Sequence, residues 1–554
     1  MMRTSARALR FIHHRRTDRF ADVRLAVIVA CVFLAACSTT WPAADWKHRT
    51  DPNRACNAEE GFQKGCDDQT PEIWVRDRTE ELFRIHFVEF DDQGWLLSDE
   101  DKKSGEEAPG DKPKALRPAS KRIDWVMDDL TRMMRDENAN ITLVVYVHGW
   151  KHNAQTDDRD VRRFRQILAQ LHEVDKLDAF PRKTVGVYIG WRGASWRPSW
   201  FATEAALNVT FWTRKAAATR VAQGQVRELF ARLRGFQDYW HQGKRGECQA
   251  GATTVPGCRI RSIAVGHSFG GLILYTAVSQ SLIDQLTFDK DVHRGLVTES
   301  VATPSEQARA EVSNVRLGRL ADLVLLINPA FEAVRYMPLH TASAGLQPAY
   351  YELPIFVSVT SVADLATRLA FPLGRSVNTT FERFADDGQK QTARNTPGHV
   401  EGYWTHTLEV DKKVKCADWE EVYVFRDGLL ERKEPDLKKF QERLRRNIVA
   451  EDNKANEFFK DTPGAAPISL QGKWPREFCG GLVLRQANVG VEGANDAANT
   501  RVWNIHTDEN VILDHSNYLT PEFFNFIRQL YRDVTIDYVN KLRIEAVTGA
   551  KVKQ

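Results

Sequence analysis

Residues 261–271 read RSIAVGHSFGG, and the fold of the whole chain turns on how that stretch is read. Ile260, Ile263, Ala264 and Val265 form the short apolar run that a buried strand needs, and Gly271, Leu272, Ile273, Leu274 and Tyr275 open a helical one directly after it. Between them lies GHSFG at 266–270. A serine on so sharp a strand-to-helix turn needs small neighbours, because the backbone must reverse within a few atoms. Gly266 and Gly270 supply that smallness. Such a turn would lift the Ser268 hydroxyl clear of the sheet and place it beside the N–H groups that open the next helix, Phe269 first. A bare GxSxG recurs by chance; its place between a strand-like and a helix-like run is what gives it weight.

With 554 residues, 42% hydrophobic, 27% charged and a net charge of +3, the chain can bury a large core in more than one lobe, and nothing in the balance points to nucleic acid. The count of 15 Trp suits a protein with an apolar pocket, although aromatic residues also fill ordinary cores.

The first residues read as a targeting segment. A stretch rich in arginine, from Arg3 to Arg24, precedes an apolar run at 25–36 that is too short for a comfortable membrane span. The run ends in LAAC at 34–37, which resembles the lipobox of bacterial lipoproteins. That resemblance implies cleavage after residue 36, acylation of Cys37, and, with Ser38 following, sorting to the outer membrane. The alternative is an uncleaved anchor; either way the chain is expected in the cell envelope. Cysteine usage agrees with export. Apart from Cys31 and Cys37, the chain has Cys56, Cys66, Cys248, Cys258, Cys416 and Cys479, an even number suited to an oxidising compartment. Pairing between neighbours is the simplest of the connectivities. No CxxC pairs or HExxH are present, and no metal or organic cofactor is implied.

After a polar leader at 37–81, the pattern alternates. Residues 82–90 predict an early strand, 98–121 a charged loop, 123–134 an amphipathic helix, and 141–147 (ITLVVYV) a strand buried on both faces. A helix over 161–174 and a strand over 184–190 continue the rhythm. The stretch 191–212 is unusually aromatic, with Trp196, Trp200, Phe201 and Phe211, and reads either as a lid or acyl-pocket wall or as core. A helix rich in Ala and Arg then runs to about residue 234. Beyond Ser268, strands are expected over 322–328 and 355–360. Residues 375–501 break the pattern: polar, with one clear strand at 421–425 and a charged helix at 437–448, they read as an insertion or cap. Residues 511–513 then read as a last strand, leading to Asp514, His515 and Ser516, and Thr520 with Pro521 starts a terminal helix. This is an α/β pattern with a mostly parallel, doubly wound sheet and a polar insertion before the last strand.

GHSFGG, the VHGW at 147–150 and the terminal DHS together resemble the α/β-hydrolase superfamily, specifically its bacterial serine esterase and lipase-like members, over most of 82–531. The resemblance implies core segments at 82–374 and 502–554. It implies that Gly149 and Trp150, following the third strand of the fold, complete an oxyanion hole with Phe269; His148 is then a structural hydrogen-bonding residue. His148 and His152 do not read as a metal pair, since their loop shows no adjacent carboxylate pair. The acid follows one of two late strands, with Asp364 preferred and Glu332 the alternative. The chain order Ser, acid, His selects His515, with His506 and His406 as fallbacks and His399 also eligible. The implied activity is hydrolysis of a small-molecule or lipid ester through an acyl-enzyme. An acyltransferase acting on envelope lipid or glycan, and a non-catalytic binding protein on the same scaffold, are the competing classes.

Overall fold

The parallel strands at the centre of the molecule are apolar on both faces and can form only where helices cover them. In the computed structural model the described residues are 62–64, 71–97 apart from 78, 121–177, 181–194, 211–242, 260–293, 320–344, 354–460, 474–487 and 501–535. The chain divides into two units. One comprises 1–47 with 194–216, of which Ala194 and the start of a helix are described; the other comprises 48–193 with 217–554 and contains the sheet and the site.

A twelve-stranded sheet organises this larger unit. In chain order its strands are β1 (Phe62–Lys64), β2 (Glu72–Arg76), β3 (Glu80–Phe90), β4 (Ile141–Val147), β5 (Lys183–Trp191), β6 (Ile260–His267), β7 (Leu323–Ile327), β8 (Phe356–Ser361), β9 (His406–Val410), β12 (Arg476–Phe478), β13 (Leu482–Gln486) and β14 (Val502–Thr507). A separate hairpin pairs β10 (Tyr423–Arg426) with β11 (Leu429–Arg432). The order across the sheet is β1-β2-β3-β5-β4-β6-β7-β8-β14-β9-β13-β12. From β3 to β9 every pairing is parallel, and the two ends are antiparallel. This is an α/β fold with a large, mostly parallel mixed sheet. From β4 the chain moves to β5 on one side, and from β6 to β7 and β8 on the other. The reversal lies between β4 and β6, where open α/β sheets leave a crevice at the carboxyl ends of their strands.

Local chemistry explains the elements. All seven residues of β4 are buried. The helix α1 (Arg122–Arg135) turns Ile123, Val126, Leu130, Met133 and Met134 inward. The helix α2 (Arg159–Lys176) begins at Asp158, whose carboxylate accepts from Asp160 N at 2.8 Å. The helix expected to run to about residue 234 is two, α3 (Phe211–Gln223) and α4 (Val226–Gln242). The break falls at Gly224, where a Cβ would lie 2.3 Å from the carbonyl oxygen of Gly94. Next come α5 (Phe269–His293) and α6 (Ala333–Ser343), then α7 (Phe371–Asn378) and α8 (Asp387–Arg394). The charged helix α9 (Leu437–Lys460) and the terminal α10 (Pro521–Thr535) follow. Thr520 caps α10 through its hydroxyl, 3.0 Å from Phe523 N, with Pro521 at the first helical position.

Two expectations change. The last strand is Val502–Thr507, and 511–513 is loop: a turn at Asp508 takes the N–H groups of Val511 and Ile512 and buries both side chains without a ladder. Within 375–501, β9, β13 and β12 extend the main sheet past β14. Their short polar strands alternate only weakly and hide in the sequence. They are fixed to α10 by the buried pair Arg476–Asp533 at 2.9 Å and by Gln529, which accepts from Cys479 N and donates to its carbonyl, both at 2.9 Å. The disulfide Cys416–Cys479 closes the segment, with Cα atoms 5.5 Å apart, as neighbour pairing predicts. Cys37, Cys56, Cys66, Cys248, Cys258 and the aromatic stretch 195–210 lie outside the described residues. Among the described residues no helix is long and apolar enough to cross a membrane.

Candidate active site

The carboxyl ends of β4, β6, β8 and β14 deliver four loops to one edge of the sheet. At the end of β6 the chain turns at Ser268, which has φ +56°, a left-handed value uncommon outside glycine. The turn is held on both sides: Ser268 N donates to Ile327 O at 3.0 Å, and Ser268 O accepts from Ala330 N at 3.2 Å. The glycines are needed. A Cβ at Gly270 would lie 2.0 Å from Val147 O, and one at Gly266 would lie 2.7 Å from Gly270 O.

Ser268, His515 and Asp364 lie in line. His515 Nε2 is 2.8 Å from Ser268 Oγ, and His515 Nδ1 is 2.9 Å from Asp364 Oδ2. A carboxylate only accepts, so Nδ1 carries the proton and Nε2 is the bare nitrogen facing the hydroxyl. Asp364 is fully buried and accepts three further bonds, from Ala366 N at 3.0 Å, Thr367 N at 3.1 Å and the Thr367 hydroxyl at 2.5 Å. Burial alone would raise its pKa, but the His515 charge and these donors outweigh it and hold the carboxyl below its ordinary range. Ser268 is 1% exposed. The arrangement can move a proton from the serine hydroxyl to an oriented imidazole.

Gly149 lies against Ser268: a Cβ there would be 3.0 Å from Ser268 Cβ. Trp150 follows it, and Phe269 opens α5. His148 accepts from Trp191 N at 3.0 Å, stacks on Trp191, and its carbonyl accepts from the Trp191 indole at 2.9 Å. Its role is to tie the β4 loop to β5. His152 does have carboxylates beside it, Asp158 at 3.0 Å and Asp160 at 3.6 Å, contrary to expectation, because the turn into α2 folds both back onto the ring. Among the described residues no group of His, Cys, Asp and Glu is arranged to hold a metal ion.

The alternatives lie elsewhere. Glu332 precedes α6 and pairs with Arg335 at 2.9 Å and Arg375 at 3.3 Å. His506 stacks on Trp404 and its Nδ1 donates to Gly398 O at 3.3 Å; His406 packs between Trp474 and Trp503; His399 bonds the Thr367 hydroxyl at 3.0 Å.

Residues not singled out from sequence hold the histidine loop. His267 Nε2 donates to the carbonyl of His515 at 2.7 Å, and its ring packs on His515 and Tyr518. Its Nδ1 faces Gly149, whose absent Cβ would be 2.9 Å away. Burial, and then the nearby charge of His515, push His267 down to about 3, so it works as a neutral donor. Beneath it, Tyr518 bonds the Tyr146 hydroxyl at 2.7 Å, and Tyr146 donates to Asp160 at 2.8 Å. Asn328, at the end of β7, accepts from Ser361 N at 3.1 Å and donates to Asp514 O at 3.4 Å; the Ser361 hydroxyl donates to Ile512 O at 2.9 Å. One signal was present in the sequence: a lone Asn closing the apolar run LVLLI. Comparison with known proteins adds nothing further, as no family model, curated protein or solved structure matches the chain.

Proposed function

We propose that this chain is a serine hydrolase of the α/β-hydrolase fold that cleaves a carboxylic ester through an acyl-enzyme. The observation that carries the reading is the line Ser268–His515–Asp364, at 2.8 and 2.9 Å, built on a left-handed serine between strand and helix. In the proposed reaction His515 Nε2 takes the Ser268 proton as Oγ attacks the ester carbonyl. The oxyanion is met by the N–H groups of Phe269 and of the Gly149–Trp150 turn. His515 then protonates the departing alcohol. Water, activated by the same nitrogen, cleaves the acyl-serine and releases the acid.

The sequence of the first residues supports placing this activity in a bacterial envelope, with Cys37 acylated and the membrane as the chain's partner; the Cys416–Cys479 disulfide agrees with an oxidising compartment. Mass spectrometry of the native N-terminus tests this part, and an unmodified peptide running through Cys37 overturns it. The catalytic reading is tested by labelling with a fluorophosphonate probe. The wild type is expected to carry the adduct on Ser268, and Ser268→Ala and His515→Ala to carry none. A folded wild type that does not react overturns the reading in favour of a binding protein. Adding an alcohol acceptor separates hydrolysis from acyl transfer by whether free acid or a new ester accumulates.

A further inference from the structure

We propose that His399 is a positioning residue for the acid of this site, acting through the Thr367 hydroxyl, a role that rests on the hydrolase reading of Ser268, His515 and Asp364. Asp364 Oδ2 lies 2.9 Å from His515 Nδ1 and 2.5 Å from the Thr367 hydroxyl, and that hydroxyl in turn lies 3.0 Å from His399 Nε2. The protons on this path can be placed by counting. A carboxylate has none to give, so the single Thr367 proton points to Asp364 and the hydroxyl oxygen is left to accept. His399 Nε2 therefore carries a proton and donates to Thr367. Burial pushes His399 down to about 4 in spite of the Asp364 charge, so at neutral pH the ring is neutral and this N–H is the one it has.

The bond matters because a threonine hydroxyl in a helical turn has a competing use. It can rotate and donate to a backbone carbonyl three or four residues back, here that of Asp364 or Ala363. With His399 holding one lone pair of the oxygen, that rotation is restricted and the proton stays on Oδ2. Each oxygen of Asp364 is then fixed by two donors: Oδ1 by Ala366 N and Thr367 N, Oδ2 by Thr367 and His515. Oδ2 is held facing His515 Nδ1.

Several contacts place the imidazole. The turn Pro397–His399 lies so close to the end of β8 that a Cβ on Gly398 would be 2.1 Å from Thr360 Oγ1. Asn504 Nδ2 donates to Pro397 O at 3.0 Å, and Gly398 O accepts from Trp404 Nε1 at 2.8 Å and from His506 Nδ1 at 3.3 Å. Asn504 and His506 are the polar residues that interrupt β14, and holding this turn gives both a use. The charged or titratable groups acting on the His399 ring are Asp364, His506 and Arg368.

The test compares His399→Phe, which keeps a ring without a donor, with His399→Gln, which keeps a donor, in the full chain and on a Thr367→Val background. Two quantities are read: the rate of fluorophosphonate labelling of Ser268, and the downfield proton resonance of His515 Nδ1 against Asp364, which is visible without turnover. His399→Phe is expected to label about fivefold more slowly, with its thermal melt kept, and to shift or broaden the resonance. His399→Gln is expected to restore both. On the Thr367→Val background, His399→Phe is expected to change labelling by less than about twofold, because the path is already cut. Equal slowing by Phe and Gln assigns His399 to packing alone and overturns the proposal, as do losses that add in full on the Thr367→Val background. An unmoved resonance in His399→Phe overturns it whether or not the protein labels. A folded wild type that does not label overturns the hydrolase reading instead, and the resonance then decides the positioning role by itself.

Discussion

Replacing Asp364 with Asn removes one charge and leaves the shape, and the surroundings of the side chain dictate how the amide must sit. Oδ1 receives the N–H groups of Ala366 and Thr367, while Oδ2 faces His515 Nδ1 and the Thr367 hydroxyl. The amide nitrogen of Asp364→Asn cannot take the Oδ1 place, where two donors already point. It must turn toward His515 and donate to Nδ1. The imidazole then carries its proton on Nε2 and presents N–H to Ser268, with no bare nitrogen left to act as base. The expected loss in kcat/KM on a soluble ester is about ten-thousandfold, roughly 5.5 kcal/mol of barrier, with the same loss in the rate of fluorophosphonate labelling. The thermal melt moves little, because the hydroxyl of Thr367 can accept from the amide instead of donating. Asp364→Ala imposes no tautomer and retains more activity than the Asn variant. An Asn variant within tenfold of wild type, or one more active than Ala, refutes the tautomer argument.

His267→Leu is expected to lower kcat about tenfold with KM little changed, because the His515 carbonyl loses its donor, and His267→Gln, which keeps a donor, recovers most of it; equal losses in both variants count against a positioning role. The same residue shapes acid stability. Its folded pKa lies near 3 and its unfolded value near 6.5, so the unfolded chain binds the extra proton between them. Stability is full above about pH 6.5 and falls as pH drops toward 3; by pH 4.5 the loss from this group is about 2–3 kcal/mol, and urea titrations of His267→Gln should show a shallower decline. Cys416→Ala with Cys479→Ala opens a loop of sequence separation 63 and should cost about 4 kcal/mol in chain entropy, read as a lower melting temperature in the non-reduced protein. Gly270→Ala puts a methyl group 2.0 Å from Val147 O, and an unfolding cost below about 3 kcal/mol would show that the turn yields more easily than its packing indicates.

The parts legible in the sequence are those where one residue type has one physical use. The apolar run at 141–147 had to be a doubly covered strand, and it is. Ser268, Asp364 and His515 were reachable because each follows a strand, in the chain order Ser, acid, His that the sequence resemblance implies. What stayed hidden depends on contacts distant in sequence. His267 reads as a filler inside GHSFG until the 515 loop comes back over it. The strand at 511–513 was misplaced because Val511 and Ile512 are apolar for packing, not for pairing, while the true strand Val502–Thr507 carries Asn504 and His506 on its length. The edge strands β9, β12 and β13 are short and partly polar, so alternation alone does not separate them from loop.

The position of β14 has a consequence for the order in which the molecule is completed. It is flanked by β8 on one side and β9 on the other, both made earlier in the chain. A polypeptide folded as far as β13 already holds Ser268 and Asp364, yet the slot between β8 and β9 is empty and the imidazole of His515 has nowhere to stand. Closing that slot joins segments far apart in sequence, which makes it an intrinsically slow event. Ser268 therefore lacks its imidazole partner until the last strand seats.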